Sequence, residues 1–118
     1  MIWTVEIPIL PKGPNVYMRD HWAIHRRYKV NIASLLLANM PNRNLIPGPV
    51  RVTYTEFHAR RPKDRTNLAG AYKPIEDQIV RLGILKDDTP EIVVDIQYAQ
   101  EKVPHVRDQK CRIDIERI

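Results

Sequence analysis

The chain has 118 residues, of which 43% are hydrophobic and 28% charged, a balance that is typical of one globular domain and excludes a disordered chain. Its 19 Lys and Arg outnumber 14 Asp and Glu, and the resulting net charge of +5 suits a polyanionic partner without requiring one. The single cysteine, Cys111, indicates a reducing compartment. Glu6 and Pro8 interrupt the N-terminal apolar run, which is therefore unlike a signal peptide, and no run approaches the roughly 18 apolar residues of a membrane span. We expect a cytoplasmic protein with no membrane association.

Four stretches alternate apolar and polar residues with the period of two that is typical of half-buried strands. They are residues 2–9, 50–58, 91–99 and 110–117. Pro8 is expected to end the pairing of the first strand or to keep it at a sheet edge. The linker 102–109 is predicted to be a polar, hairpin-like connection between the last two strands.

Two helices are predicted between these strands. The first spans residues 20–40 with Asp20 as N-cap, and its core face carries residues 24, 28, 32, 35, 36 and 39. The three consecutive leucines Leu35–Leu37 cover more of the helix surface than a single core-facing stripe, and they hint at a second buried surface such as a dimer contact. The second helix either spans residues 74–82, with Pro74 in its first turn, or is a longer helix capped by Thr66 and kinked at Pro74. In both cases Gly83 ends it.

The order β-α-β-α-β-β predicts a single α+β domain over residues 1–118, with a mixed or antiparallel sheet and two helices. Basic residues cluster before and inside the first predicted helix, and they form either a solvated face or a phosphate-contacting face. His21 and His25 have the i, i+4 spacing of a zinc site, but without a third ligand a structural or phosphate-facing role is favoured.

The chemistry-bearing stretch is residues 59–93, which holds Asp64, Lys73, Asp77, Asp87 and Asp88. Residues 83–90 can span up to about 25 Å, which is enough to return the Asp87–Asp88 pair to the neighbourhood of Asp64. Crowded carboxylates favour a cation between them, and carboxylate oxygens are the ligands that Mg²⁺ prefers. The alternatives are an ordinary acidic turn at Asp87–Asp88 and a solvent-side i, i+4 pair of Lys73 with Asp77.

Three motifs in this stretch resemble the RusA family of Holliday junction resolvases. They are R-P-K-D-R-T-N-L at 61–68, K-P-I-E-D at 73–77 and L-G-I-L-K-D-D-T-P-E-I-V at 82–93. The segment P-K-G-P-N-V-Y-M-R-D-H-W at 11–22 resembles the opening loop of that family, so the resemblance covers about residues 1–100. It implies a small α/β homodimer that cuts four-way DNA junctions symmetrically with Mg²⁺.

Carried onto this chain, the resemblance implies that Asp64, Lys73 and Asp88 are catalytic, and that Asp64 and Asp88 bind Mg²⁺ with Asp87 as helper. Thr66 stands where the family has a second motif acid, and Lys73 falls three residues later than in the shortest family version. Asp87, Asp77 or Glu56 would then replace the missing ligand. The residues expected to contact DNA are Arg19, His21, Arg26, Arg27, Arg60, Arg61, Lys63 and Arg65. The expected activity is Mg²⁺-dependent, structure-selective DNA cleavage; the alternative is a module of the same fold that binds branched DNA and cuts it weakly or not at all.

Overall fold

The computed structural model describes residues 2–60 and 65–118, with side chains for all of these except Arg65 and Thr66. Its elements are β1 (Ile2–Ile7), α1 (Pro14–Tyr17), α2 (Trp22–Asn39), β2 (Val50–His58), α3 (Arg65–Arg81), β3 (Val93–Lys102) and β4 (Lys110–Arg117), with a 3₁₀ turn at Val106–Asp108. Apart from α1 and the 3₁₀ turn, both too short for a periodic pattern, this is the predicted α+β order. The structure therefore confirms the fold class.

The four strands form one mixed sheet in the order β1-β4-β2-β3. β4 pairs antiparallel with both β1 and β2, whereas β3 pairs parallel with β2. A parallel neighbour needs a crossover connection, which α3 supplies. The expected hairpin-like connection between β3 and β4 is wrong, because β2 lies between those two strands. Pro8 follows the last paired residue of β1, which is an edge strand as expected.

One face of the sheet is covered by α2 and α3, and the core lies between the helices and that face. Alternate residues of each strand point into it, among them Val5, Ile7, Tyr54, Cys111 and Ile113, all at most 1% exposed. No helix within the described ranges is long and apolar enough to cross a membrane.

The N-cap of helix α2 lies one residue later than the sequence predicts, and the expected N-cap Asp20 is wrong. The carboxylate of Asp20 is paired instead with Lys12, at 2.9 Å, and the Nδ1 of His21 accepts the backbone N–H of Ala23 as the N-cap. Ile32 and Leu36 are fully buried, whereas Leu37 is 42% exposed. The third leucine of the run therefore lies outside the monomer core.

Helix α3 corresponds to the longer of the two predicted alternatives and contains Pro74 in its interior, but it begins at Arg65, so the expected N-cap Thr66 is wrong. Proline has no N–H, so the carbonyl of Gly70, four residues earlier, has no helical donor. Tyr17 of α1 fills that role, its hydroxyl donating to the Gly70 oxygen at 2.9 Å. This approach needs a glycine, because a Cβ at position 70 would lie 2.7 Å from Cγ of Pro14.

Gly83 ends α3 and turns the chain back along it. Its φ of 82° lies in the left-handed region that glycine adopts without strain, and the N–H of Ile84 bonds to the carbonyl of Ile79 at 3.1 Å. Ile84 and Leu85 are then buried in the core. These two anchors fix the start of the loop that carries Asp87 and Asp88.

Candidate functional site

Lys73 is the centre of a cluster of charged side chains on α3 and the loop that follows it. Its Nζ lies 2.6 Å from Oδ2 of Asp88, 3.1 Å from Oδ1 of Asp77 and 3.8 Å from Oε1 of Glu76. Asp77 and Glu76 reach it because residues three and four apart share a helix face, whereas Asp88 reaches it through the turn at Gly83. The structure thus brings together Lys73 and Asp88, fifteen residues apart, whereas the predicted approach of Asp88 to Asp64 lies outside the described residues. The solvent-side i, i+4 pair of Lys73 with Asp77, the alternative reading of these residues, is also present.

The contact shifts the pKa of both partners away from neutrality. The hydrogen bond to Asp88 raises the pKa of Lys73, and the same bond lowers the pKa of Asp88. Both side chains are therefore charged across the neutral range. The Asp88 side chain remains 28% exposed and that of Lys73 53%, so both are open to a ligand.

Glu76 forms the buried floor of the cluster. Its residue is only 9% exposed, and its Oε2 accepts the hydroxyl of Tyr54 at 3.1 Å. Burial raises the pKa of Glu76, and the Tyr54 hydroxyl and Lys73 oppose that shift. The inward direction of Tyr54 is predictable from strand alternation. Sequence reasoning overlooked Glu76, although its spacing of three residues from Lys73 was visible.

Replacing Tyr54 with phenylalanine is expected to raise the pKa of Glu76 further. The hydroxyl stabilises the ionised carboxylate, and its removal leaves that charge with one donor fewer in a buried position. The free energy of unfolding should fall by about 1 kcal/mol. NMR titration of the Glu76 carboxyl carbon measures the shift. Tyr28→Phe, which alters a hydroxyl elsewhere on the helix layer, should leave the Glu76 titration unchanged.

Asp87 has a local role in the structure. Its Oδ1 accepts the backbone N–H of Asp88 at 2.8 Å, which fixes the turn that presents Asp88. Asp87 thus stabilises the backbone that carries Asp88, and its role as a helper at a metal ion stays a prediction.

The chemistry of the donor set suits a divalent cation, although the described residues do not complete a site. Three carboxylates surround a single ammonium group, which leaves an excess of negative charge at the cluster. Nowhere in residues 2–60 and 67–118 do three His, Cys, Asp or Glu side chains come together in a group able to enclose a metal ion. Asp64, Arg61 and Lys63 lie outside the described residues, as do the side chains of Arg65 and Thr66. Glu56, considered as a substitute ligand, is 1% exposed inside the core.

Uncompensated positive charge lies on the helix side of the molecule. Helix α2 contains no acidic residue, and Arg19, Arg26 and Arg27 are exposed without forming an ion pair with any described residue. Arg60, at the end of β2, is also exposed. His21 is the N-cap of α2, and the ring of His25 stacks on Tyr17 with centroids 5.3 Å apart. These contacts give both histidines structural partners.

The opposite face of the sheet is electrostatically different, because its basic side chains are paired with acids. Arg51 lies 2.8 Å from Asp95, Lys110 lies 3.0 Å from Glu6, and Arg112 lies 3.2 Å from Asp114. A polyanion that approached the helix side would therefore meet unpaired arginines, whereas one that approached the opposite face of the sheet would meet basic side chains that are already paired with acids.

The chain matches no protein-family model and no curated protein sequence.

Proposed function

We propose that the protein is a Mg²⁺-dependent, structure-selective DNA endonuclease of the RusA type that resolves four-way junctions by paired cleavage of phosphodiester bonds. The observation that carries the proposal is the contact between Lys73 and Asp88. A half-exposed ammonium can stabilise the charge that develops on a phosphate, and a partly exposed carboxylate can hold a metal ion, two functions that assist hydrolysis of a phosphodiester. The motifs of residues 61–93 support the assignment of substrate.

Asp88 would hold the metal, with Asp64 as the second ligand and Asp87 helping through the turn it stabilises. When bound, Mg²⁺ supplies a polarised phosphoryl group, an acidified water and charge stabilisation for the leaving oxygen. Glu76 would add negative charge on the buried side of the cluster, and its hydrogen bond with Tyr54 joins α3 to β2 next to Lys73.

Lys73 would contact the nonbridging oxygens of the cleaved phosphate. Its ammonium is half exposed on four rotatable bonds, so it can move from Asp88 to an incoming phosphate without rearrangement of the backbone. The hydrogen bond to Asp88 raises the pKa of Lys73, so the ammonium is charged when the phosphate approaches.

The exposed arginines of the helix side would bind the arms of the junction. Replacing Arg26 and Arg27 together with glutamine is expected to weaken junction binding and to reduce the slope of log K against log salt by about 0.9 for each phosphate that is no longer neutralised. Fluorescence anisotropy at several salt concentrations measures the slope. Arg51→Gln, which removes a paired arginine on the sheet side, should leave the slope unchanged; an equal effect there would contradict binding through the helix side.

Symmetric resolution requires two cuts in strands of like polarity, so a homodimer with a two-fold axis belongs to the proposal. The exposed Leu37 of α2 is one apolar group that such a contact would cover.

The second candidate is a protein of the same fold that binds branched DNA but cuts it weakly or not at all. It is motivated by Thr66, which stands where the family has an acid. Incubation of the purified protein with a labelled four-way junction, in Mg²⁺ or in chelator, decides between them. Paired nicks that need Mg²⁺ support the nuclease. A retarded but intact junction supports the binding module, and equal affinity for linear duplex would contradict both.

A further inference from the structure

Three tyrosines form a stack that ends at the edge of the sheet. Tyr72 of α3 lies against Tyr54 of β2, with ring centroids 4.7 Å apart, and Tyr54 lies against Tyr98 of β3 at 5.6 Å and 16° between planes. Tyr54 and Tyr98 share a face because they are register partners in the parallel pair β2–β3. The inner two rings are buried, whereas Tyr98 is half-buried, since β3 is the outermost strand of the described sheet.

Beyond the stack lies a cleft of about 640 Å³, lined by Tyr98, Leu68, Gln97 and Gln100. This volume falls in the range of about 300 to 1,000 Å³ that is usual for small-ligand sites. The described walls consist of an aromatic ring, an aliphatic side chain and two amides, with no ionised group. The amide of Gln97 already donates to Asp95 at 3.3 Å, so the Tyr98 ring is the surface on which recognition in this cleft depends.

One buried side chain, that of Tyr54, links the cleft to the charged cluster. Tyr54, which stacks on Tyr98, donates to Glu76, and Glu76 lies 3.8 Å from the Lys73 ammonium that is bonded to Asp88. Glu76 is also close enough to Tyr98 to raise the pKa of its hydroxyl, after the larger effect of burial. A nucleotide whose phosphate meets Lys73 therefore has this cleft within reach of its own or its neighbour's base.

We propose that the cleft binds one unstacked nucleobase next to the cleaved phosphate, with Tyr98 as the stacking surface; this rests on the proposed nuclease function. Withdrawing a base from a continuous duplex costs a few kcal/mol, and the cost is least where stacking is already interrupted. The branch point of a junction is such a place. The cleft thus gives a physical reason for selecting branched over linear DNA without reading a sequence.

A second copy adding a strand to the free edge of β3 is the competing occupant. That edge carries Asp95, Glu101 and Lys102, charged side chains of the kind that oppose strand addition. The nucleobase is therefore the occupant that the residues favour.

The test is a double-mutant cycle between Tyr98 and one base, read as junction affinity in chelator so that the strands stay intact. The cut position is mapped first on the wild type in Mg²⁺, and the nucleotides flanking it are then made abasic one at a time. Removal of one flanking base from the wild-type complex is expected to weaken binding about 5- to 150-fold, which is the effect of losing one base–aromatic stack. Tyr98→Leu should weaken binding of the intact junction by a similar factor.

In the Tyr98→Leu variant, removal of that same base should not weaken junction binding any further, because the stack is already absent. Tyr98→Phe keeps the ring and should behave as the wild type, which separates stacking from a role of the hydroxyl.

Two results would overturn the inference. The first is an equal loss of junction affinity when the base is removed from the wild-type complex and from the Tyr98→Leu complex. The second is an abasic scan of the wild type that finds no sensitive position, a result that does not depend on how the variant folds. A change of sedimentation upon Tyr98→Leu, with affinity unchanged, would assign the edge to a second copy. If the wild type neither prefers nor cuts the junction, the proposed function itself is what fails.

Discussion

Asp88→Asn is expected to reduce cleavage of a four-way junction in Mg²⁺ by at least about 100-fold, the usual scale for removing one group that stabilises developing charge. Asparagine keeps the size of the side chain but loses the charge that holds a cation. Binding of the junction in chelator should be preserved or slightly strengthened, because one negative charge near the phosphate is gone. Single-turnover cleavage and anisotropy measure the two effects separately.

The matched control is Asp95→Asn, which makes the same chemical change on the opposite face of the sheet, where Asp95 pairs with Arg51. It should cut at the wild-type rate. Full cleavage by Asp88→Asn would show that the site has been assigned to the wrong carboxylate even if the activity exists. Thermal unfolding of both variants checks that neither has lost its structure.

Lys73→Met should affect cleavage and metal binding in opposite directions. Loss of the ammonium removes the interaction with the cleaved phosphate, and cleavage should fall by about 100-fold. At the same time Asp88 loses its competing cation, so binding of Mn²⁺, followed by its paramagnetic signal in the absence of DNA, should tighten by about threefold to tenfold after allowance for solvent screening.

Lys86→Met is the control for this result, because Lys86 lies on the same loop, is exposed and pairs with no described carboxylate. It removes the same charge without touching Asp88 and should alter both readouts only slightly. Weaker Mn²⁺ binding by Lys73→Met would mean that the lysine supports the carboxylates rather than competing for them.

The effect of Lys73→Met on the free energy of unfolding is expected to depend on pH. Because Lys73 lowers the folded-state pKa of Asp88, the pair stabilises the fold above the ordinary pKa of aspartate, and this contribution disappears as the pH falls through the lowered value. On the alkaline side the raised pKa of Lys73 keeps the contribution until the pH rises through that value. The difference in unfolding free energy between wild type and Lys73→Met should therefore be largest near neutral pH.

Strand alternation was sufficient to predict β2 and β4 to the residue. β4 alternates between buried and half-buried positions up to Glu116, whereas β2 alternates only up to Tyr54 and is buried on both faces from Thr55 to His58. The loop after Gly83 was predicted to be long enough to return Asp88 towards Asp64, whereas a place for Lys73 beside Asp88 was implied only by the family resemblance. The strand order was not predictable. Periodicity indicates which face of a strand is buried but not which strand lies beside it. The sequence therefore predicts a β3–β4 hairpin, whereas both strands pair with β2.

The N-cap of α2 shows a different limit. Asp20 has the right residue type and position for a cap, but Lys12 competes for its carboxylate from eight residues away, and a local rule does not include that partner. Glu76 was overlooked for a related reason. Its importance comes from the hydrogen bond with Tyr54, a contact that exists only after β2 and α3 have packed together.

The proline inside α3 has an evolutionary consequence. Because Pro74 leaves the Gly70 carbonyl without a helical donor, the hydroxyl of Tyr17 is needed to satisfy it, and Gly70 is needed to let α1 come close enough. These three positions should therefore covary. In homologous chains where position 74 regains an amide hydrogen, the tyrosine becomes dispensable and the glycine is free to become alanine, so the opening segment and the lysine-bearing helix should diverge together.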